Sequence, residues 1–435
     1  MVESSHPATE SSTRRDFLKA GTLAAVSTSL SQLALNSGVY AAGSDVLRVG
    51  LIGCGGRGSG AAAQALTADP NTQLVAMAEA FPDRLESSLR QLKAAGIADR
   101  VLVDDDHKFS GFDAYKHVID SVDVVVHATP PHFRPAHIRA AIDAGKHVFV
   151  EKPVAVDAPG VRSMLETSQL AAEKGLSLVS GLCWRYDNGM RETFDHIHNG
   201  TIGKVVSLQC SYNSSGVWEP RRTREQCDSE MEYQMRNWYY YTWLSGDFNV
   251  EQHIHSLDKM AWAMKDETPI AASGSGGRQQ RTDPKYGNIY DHFNIVYEYA
   301  GGIRAFARCR HFAGCANDVT DHIFGTEGRA DVFKHRTYDW NGKNTWKFDG
   351  KKNNMYQTEH DEFFANIRAG SPINNGHYMC MSTMMAIMGR MVAYTGKKIT
   401  WDEAIGSKED LTPPSYEWGT IDVPQVAVPG LTPFV

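Results

Sequence analysis

Two passages of the chain carry residue types that can do chemistry. In WLSGDFNVEQHIHSLDKMAWAM, residues 243–264, Glu251 and His255 stand four apart. The spacing of Val250, Ile254, Leu257 and Ala261 predicts a helix, so Glu251, His255 and Asp258 lie along a neighbouring face and His253 points elsewhere. An imidazole beside a carboxylate is suited to take a proton from a hydroxyl. The same side chains also suit a metal, but residues two apart diverge by about 200° on a helix, so only Glu251 and His255 could share one ion. A structural histidine is the third reading. Proton transfer is preferred, and no metal is expected. The second passage, KHVFVEKPVAV, is an apolar strand ending on Glu151-Lys152-Pro153.

The elements that must position these groups begin with VLRVGLIG, a short apolar run that reads as a buried parallel strand. It leads directly into Gly53-Cys54-Gly55-Gly56-Arg57-Gly58 and then the small helix formers SGAAAQAL. A G-x-G-x-x-G turn between strand and helix has a physical logic: a tight turn, then close backbone approach to a pyrophosphate, then close packing of helix on strand. The helix N-terminus adds free N–H groups and the positive end of its dipole. TQLVAMAEAFPDR then ends a second strand on Glu79, about twenty residues on, where an acid accepts from the adenosine ribose hydroxyls. Such an acid repels a 2′-phosphate and favours NAD over NADP, although Arg84 nearby complicates that preference. A third strand in SVDVVVHATPPHF and a fourth in KHVFV follow. Ligands of open α/β sheets bind at the carboxyl ends of strands, which places Thr129, Pro130, His132, Glu151 and Lys152 on the cofactor edge.

GLIGCGGRG, ATPPHF, AGKHVFVEKP and GLCWRY, with IGKVVSLQ, IFGTEGRADV and HDEFFANIRAG further on, resemble the Gfo/Idh/MocA oxidoreductase family over roughly residues 46 to 400. The resemblance implies an α/β fold: an N-terminal Rossmann doubly wound parallel sheet and a C-terminal α/β domain with a large open mixed sheet, which serves as a wall of the sugar site and as an oligomer interface. It implies that Lys152 points into the site beside the nicotinamide, where a partly desolvated lysine can exchange a proton with a substrate hydroxyl. His255 matches a family histidine that accepts a proton or orients the sugar. Glu251 stands where the family has Asp, one methylene longer, and His253 replaces a usual Gly. The expected segments are a leader at 1–42, a Rossmann domain at 46–170, a substrate and oligomerisation domain at 171–405, and an extended proline-containing tail at 406–435 that lies on its own or a neighbouring subunit.

YQMRNWYYYTW is an aromatic cluster whose faces suit sugar rings, and Arg185, Trp238 and Tyr240 are the expected wall residues. The chain has 435 residues, with 44 basic against 51 acidic. This mild acidity gives no footprint for nucleic acid or an anionic membrane. Seven cysteines without a C-x-x-C pair argue against a disulfide framework or a structural zinc. SSTRRDFLKAGTLAAVSTSL, residues 11–30, matches a twin-arginine (Tat) signal, read by its translocase as an address. The apolar run that follows is too short and polar to span about 30 Å of hydrocarbon, so no stable membrane anchor is expected. Outside the cytoplasm no NAD pool exists, so an exported protein of this type should carry its cofactor tightly bound and regenerate it on site. The leading expectation is an exported NAD-dependent oxidoreductase acting on a sugar or cyclitol, as a dimer or tetramer. A redox-neutral NAD-dependent glycoside hydrolase is the alternative, and a non-catalytic sugar-binding protein the second.

Overall fold

Five short runs rich in β-branched and apolar residues, with one three-residue edge strand, assemble into one parallel sheet of six strands. The computed structural model describes residues 45–435, and the expected leader with its twin-arginine motif lies outside them. The first sheet has β1 (Leu47–Ile52), β2 (Thr72–Glu79), β3 (Lys108–Ser110), β4 (Val124–His127), β5 (His147–Val150) and β6 (Leu178–Ser180). Its order is β3-β2-β1-β4-β5-β6, and every pairing is parallel. The order reverses between β1 and β4, which opens the crevice where such sheets bind dinucleotides. β4 and β5 are buried along their whole length, as strands covered by helices on both faces must be. The three-residue edge strand β3 has too few residues for a pattern, and the sequence does not announce it.

The second sheet comprises β7 (Val205–Ser214), β8 (Ala271–Gly277), β9 (His292–Glu298), β10 (Arg304–His311), β11 (Asp318–Gly325), β12 (Gly328–Asp331), β13 (Arg336–Asp339), β14 (Asn344–Lys347) and β15 (Ile399–Thr400). It runs β14-β13-β12-β11-β7-β10-β9-β8-β15 and is mixed, with β10 parallel to β7 and antiparallel to β9. Burial alternates along β10, so one face is covered by helices Ile254–Ala263 and Gly376–Thr395 while the other stays open. Phe306, at 46% exposure, stands on the open face. Both sheets lie within one compact unit, Leu47–Val435. Among the described residues no helix is long and apolar enough to cross a membrane.

The tail lies along its own chain. The Glu409 carboxylate pairs with Arg390 at 2.5 Å, and the Leu411 N–H donates to the Asp157 carboxylate. Trp418 packs on Phe112 and Phe81 with ring centres 4.6 and 5.3 Å apart, and the Tyr290 hydroxyl donates to the Ala427 carbonyl at 2.8 Å.

Candidate active site

The glycine turn is built by missing side chains. Gly53 follows β1 at φ +94°, and a Cβ there would lie 2.6 Å from the Ala128 carbonyl carbon. A Cβ on Gly58 would meet the Gly53 carbonyl oxygen at 2.0 Å, so the helix Gly56–Ala68 can start this close to its strand only with glycine. Gly55 and Gly56 face open space, with no atom within 4 Å of the missing Cβ. Together with the helix N-terminus these bare backbone positions fit a pyrophosphate.

Around the turn lies a cavity of about 360 Å³. At one end stands Glu79, whose carboxylate accepts from the backbone N–H groups of Cys54 (2.7 Å), Ala80 (2.9 Å) and Phe81 (3.4 Å). Burial raises its pKa in spite of these donors. Arg84, from helix Pro82–Ala94, lines the same end. Thr129 and Pro130 follow β4 and line the middle. His132 does not: it is buried beneath the tail, its Nε2 2.8 Å from the Tyr416 hydroxyl, and burial brings its pKa down to about 4.

Arg57, the side chain inside the glycine turn, faces inward and is held by two carboxylates. Its Nε donates to Glu151 and its Nη2 to Glu359 at 2.7 Å. Glu151 follows β5 and also accepts from the Lys152 N–H at 3.2 Å. Arg134 clamps the two neighbouring loops from behind: it donates to the carbonyls of Thr129 (2.6 Å), Glu151 (2.8 Å) and Pro153. Neither Arg134 nor Glu359 is singled out by the sequence, although each sits at the margin of a quoted motif, after ATPPHF and before HDEFFANIRAG.

At the far end the two chemical passages meet. Lys152 Nζ donates to the Glu251 carbonyl at 2.5 Å and stands 3.0 Å from its Oε1. His255 lines the cavity beside them. Its Nδ1 is buried with no partner, which leaves Nε2 as the nitrogen able to meet a ligand. Burial, reinforced by the cations Lys152, Lys259 and Arg57, holds the imidazole pKa well below its ordinary value, so His255 is neutral. The helix expected from Val250 is broken here: Phe248–Glu251 is one turn, and a second helix, Ile254–Ala263, starts after His253. His253 turns to the sheet, its Nδ1 2.9 Å from Asn249 Oδ1 and its Nε2 3.5 Å from Cys210 Sγ. Among the described residues no cluster of three metal-ligating side chains occurs.

Two expected wall residues are elsewhere. Arg185 is buried between carboxylates, with Nη2 2.9 Å from Asp258 Oδ1 and 2.5 Å from Asp266 Oδ1, and it lies over the Tyr378 ring at 4.0 Å. Tyr240 is fully buried, its hydroxyl donating to the Trp218 carbonyl while Arg281 Nη1 donates to it at 3.3 Å. Trp238 does line the cavity. The apolar wall that the sequence does not reveal is Phe81, Phe112, Tyr115, Phe133 and Tyr356, aromatic side chains gathered from four separate segments.

The chain matches two family models. One, described as an oxidoreductase family with an NAD-binding Rossmann fold, covers residues 47–181, and the other, described as the GFO/IDH/MocA C-terminal domain, covers residues 190–331. Among curated relatives, inositol 2-dehydrogenase 3 of Saccharopolyspora erythraea is 26% identical over 291 residues, 65% of this chain and 72% of that protein. Glycosyl hydrolase family 109 protein 4 of Phocaeicola vulgatus is 30% identical over 188 residues, 42% of this chain but only 34% of that protein. Among solved structures, the aldose-aldose oxidoreductase from Caulobacter crescentus complexed with glycerol has a TM-score of 0.63 at 18% identity, covering 82% of this chain and 99% of that one. This last likeness is one of fold.

Proposed function

The chain belongs to the Gfo/Idh/MocA oxidoreductase family and has an NAD-binding Rossmann domain, and from that premise we propose that it oxidises a hydroxyl of a sugar or cyclitol. The observation that carries the reading is a single cavity lined by the glycine turn, Lys152, Glu251 and His255. NAD bound there would rest on Gly53 to Gly58 and Glu79, and it supplies the carbon that accepts hydride. The protein's own contribution is to place and move protons. Neutral His255 takes the hydroxyl proton at Nε2. Lys152, fixed between the carbonyl and carboxylate of Glu251, donates to the same oxygen and orients it. Trp238 offers an aromatic face for the ring.

Export through the twin-arginine route belongs to the same proposal, and with it a tightly held cofactor that is reduced and reoxidised on the protein. So does self-association through the open sheet face, for which the exposed Phe306 argues. The glycosyl hydrolase relative favours a second reading, in which oxidation, elimination, hydration and reduction return NAD to its starting state.

One experiment tests these together. The purified protein is incubated with a panel of sugars, cyclitols and p-nitrophenyl glycosides while the absorbance of reduced nicotinamide and nitrophenol release are followed. Lasting reduction without release is the expected result. Release without net reduction would establish the hydrolase reading, and neither signal from nucleotide-loaded protein would leave only sugar binding.

A further inference from the structure

The one-turn helix Phe248–Glu251 presents Glu251 to Lys152, yet four residues cannot hold a helical turn by themselves. What fixes it lies just upstream. Asp247 adopts φ +81° and ψ 166°, a region that only glycine occupies without strain, directly after Gly246 at φ +77°. The residue is fully buried and does not line the cavity.

We propose that Asp247 is a positioning residue for the active site: its carboxylate and strained backbone set the turn that holds Glu251 against Lys152. The proposal rests on the reading of Lys152 and Glu251 given above. The backbone at position 247 suits glycine, and an acid is found there with every oxygen engaged. Oδ1 accepts from the Phe248 N–H, and Oδ2 accepts from the Tyr290 N–H at 2.8 Å and from the Tyr394 hydroxyl. These bonds tie the start of the turn to the segment before β9 and to helix Gly376–Thr395. The Asp247 N–H donates to Ser245 Oγ at 3.0 Å, and its carbonyl accepts from the N–H groups of Val250 (3.0 Å) and Glu251 (2.8 Å). In the middle of the turn Asn249 Nδ2 donates to the Ala386 carbonyl of the same long helix at 2.7 Å. Glu251 is therefore suspended from Asp247 at one end and meets Lys152 at the other.

The test compares Asp247→Gly, which relieves the backbone and removes the carboxylate, with Tyr394→Phe, which removes one donor and leaves the backbone alone. Three quantities are read: kcat and KM for the hydroxyl substrate, nucleotide affinity, and the rate at which an amine-directed reagent labels Lys152 in nucleotide-free protein. Asp247→Gly should lower kcat about a hundredfold, as a small misplacement of catalytic groups does, with nucleotide affinity changed less than about threefold. Lys152, freed from its two acceptors, should be labelled several times faster. Tyr394→Phe should give the same pattern at about a tenfold loss of kcat, and it decides alone should Asp247→Gly not fold. Wild-type turnover and labelling in folded variants would overturn the proposal, as would losses that only track the unfolded fraction. If the wild-type protein reduces no nucleotide with any hydroxyl substrate, the functional reading fails, while Lys152 labelling still decides whether Asp247 positions Glu251.

Discussion

The two ends of the cavity are made in opposite ways. The dinucleotide end is specified by what the side chains lack: Gly53, Gly55, Gly56 and Gly58 stand within six positions, and a strand and a helix adjoin them. The hydroxyl end is specified by side chains that come from far away. Lys152 and Glu251, which meet there, are 99 residues apart. The first end depends on local sterics and the second on the correct meeting of two sheets. Damage at the first should therefore show in binding and stability, and damage at the second in turnover.

The sharpest way to break this contrast is His255→Ala. The variant should bind NAD as the wild type does and lose turnover by about 10²- to 10⁴-fold, the span expected for a lost proton acceptor. Steady-state kinetics beside a nucleotide titration would check it, and a parallel loss of affinity would merge the two ends into one unit.

Gly58→Ala should do the reverse. Its Cβ would sit 2.0 Å from a backbone oxygen that cannot move aside like the end of a flexible side chain. A destabilisation of about 1–3 kcal/mol in urea unfolding is expected, together with loss of NAD binding. Gly55→Ala, whose Cβ meets open space, is the matched control and should keep the fold while weakening NAD.

A third prediction concerns acid. Burial keeps His132, beneath the tail, and His137, on the cavity lining, neutral, with pKa values brought down to about 4 and about 3. Their unfolded values are about 6.5, so below that pH the unfolded chain binds protons that the folded chain refuses. Stability should be fully present above about pH 6.5 and fall as pH drops, by about 1.4 kcal/mol per pH unit for each such histidine down to its folded value. Urea midpoints of the wild type and of His137→Gln between about pH 7 and pH 4 would show it, the variant having the shallower slope.

The smallest effect belongs to one of the contacts that join the halves outside the cavity. Arg236 pairs with the half-exposed Asp83 at 3.0 Å, and Arg236→Ala should cost no more than about 1 kcal/mol in thermal unfolding.

The same contrast governs what could be read in advance. β1, β2, β4 and β5, the glycine turn and Glu79 follow from local pattern, because a buried parallel strand and a tight turn are decided by neighbouring residues. The mixed sheet followed from a family resemblance. Arg185 and Tyr240 were expected on the wall, but their partners, Asp258 and Asp266 for one and Trp218 and Arg281 for the other, lie 73 and 81 residues and 22 and 41 residues away. No spacing rule reaches that far. The break at Gln252 and His253 was hidden for a related reason: the apolar positions continue at helical spacing, while the strained turn at Asp247 and the pull of Asn249 on His253 are tertiary. His132 was placed on the cofactor edge by its motif and was withdrawn from it by Tyr416, 284 residues later.

The central claim is that Lys152, held by Glu251, acts on a hydroxyl beside bound NAD. Single-turnover reduction of NAD preloaded on wild-type protein and on Lys152→Met tests it most directly, using the substrate that gives the largest signal in the panel. The account predicts that the variant retains the nucleotide and reduces it at least about a hundredfold more slowly. Reduction by Lys152→Met at the wild-type rate would contradict it.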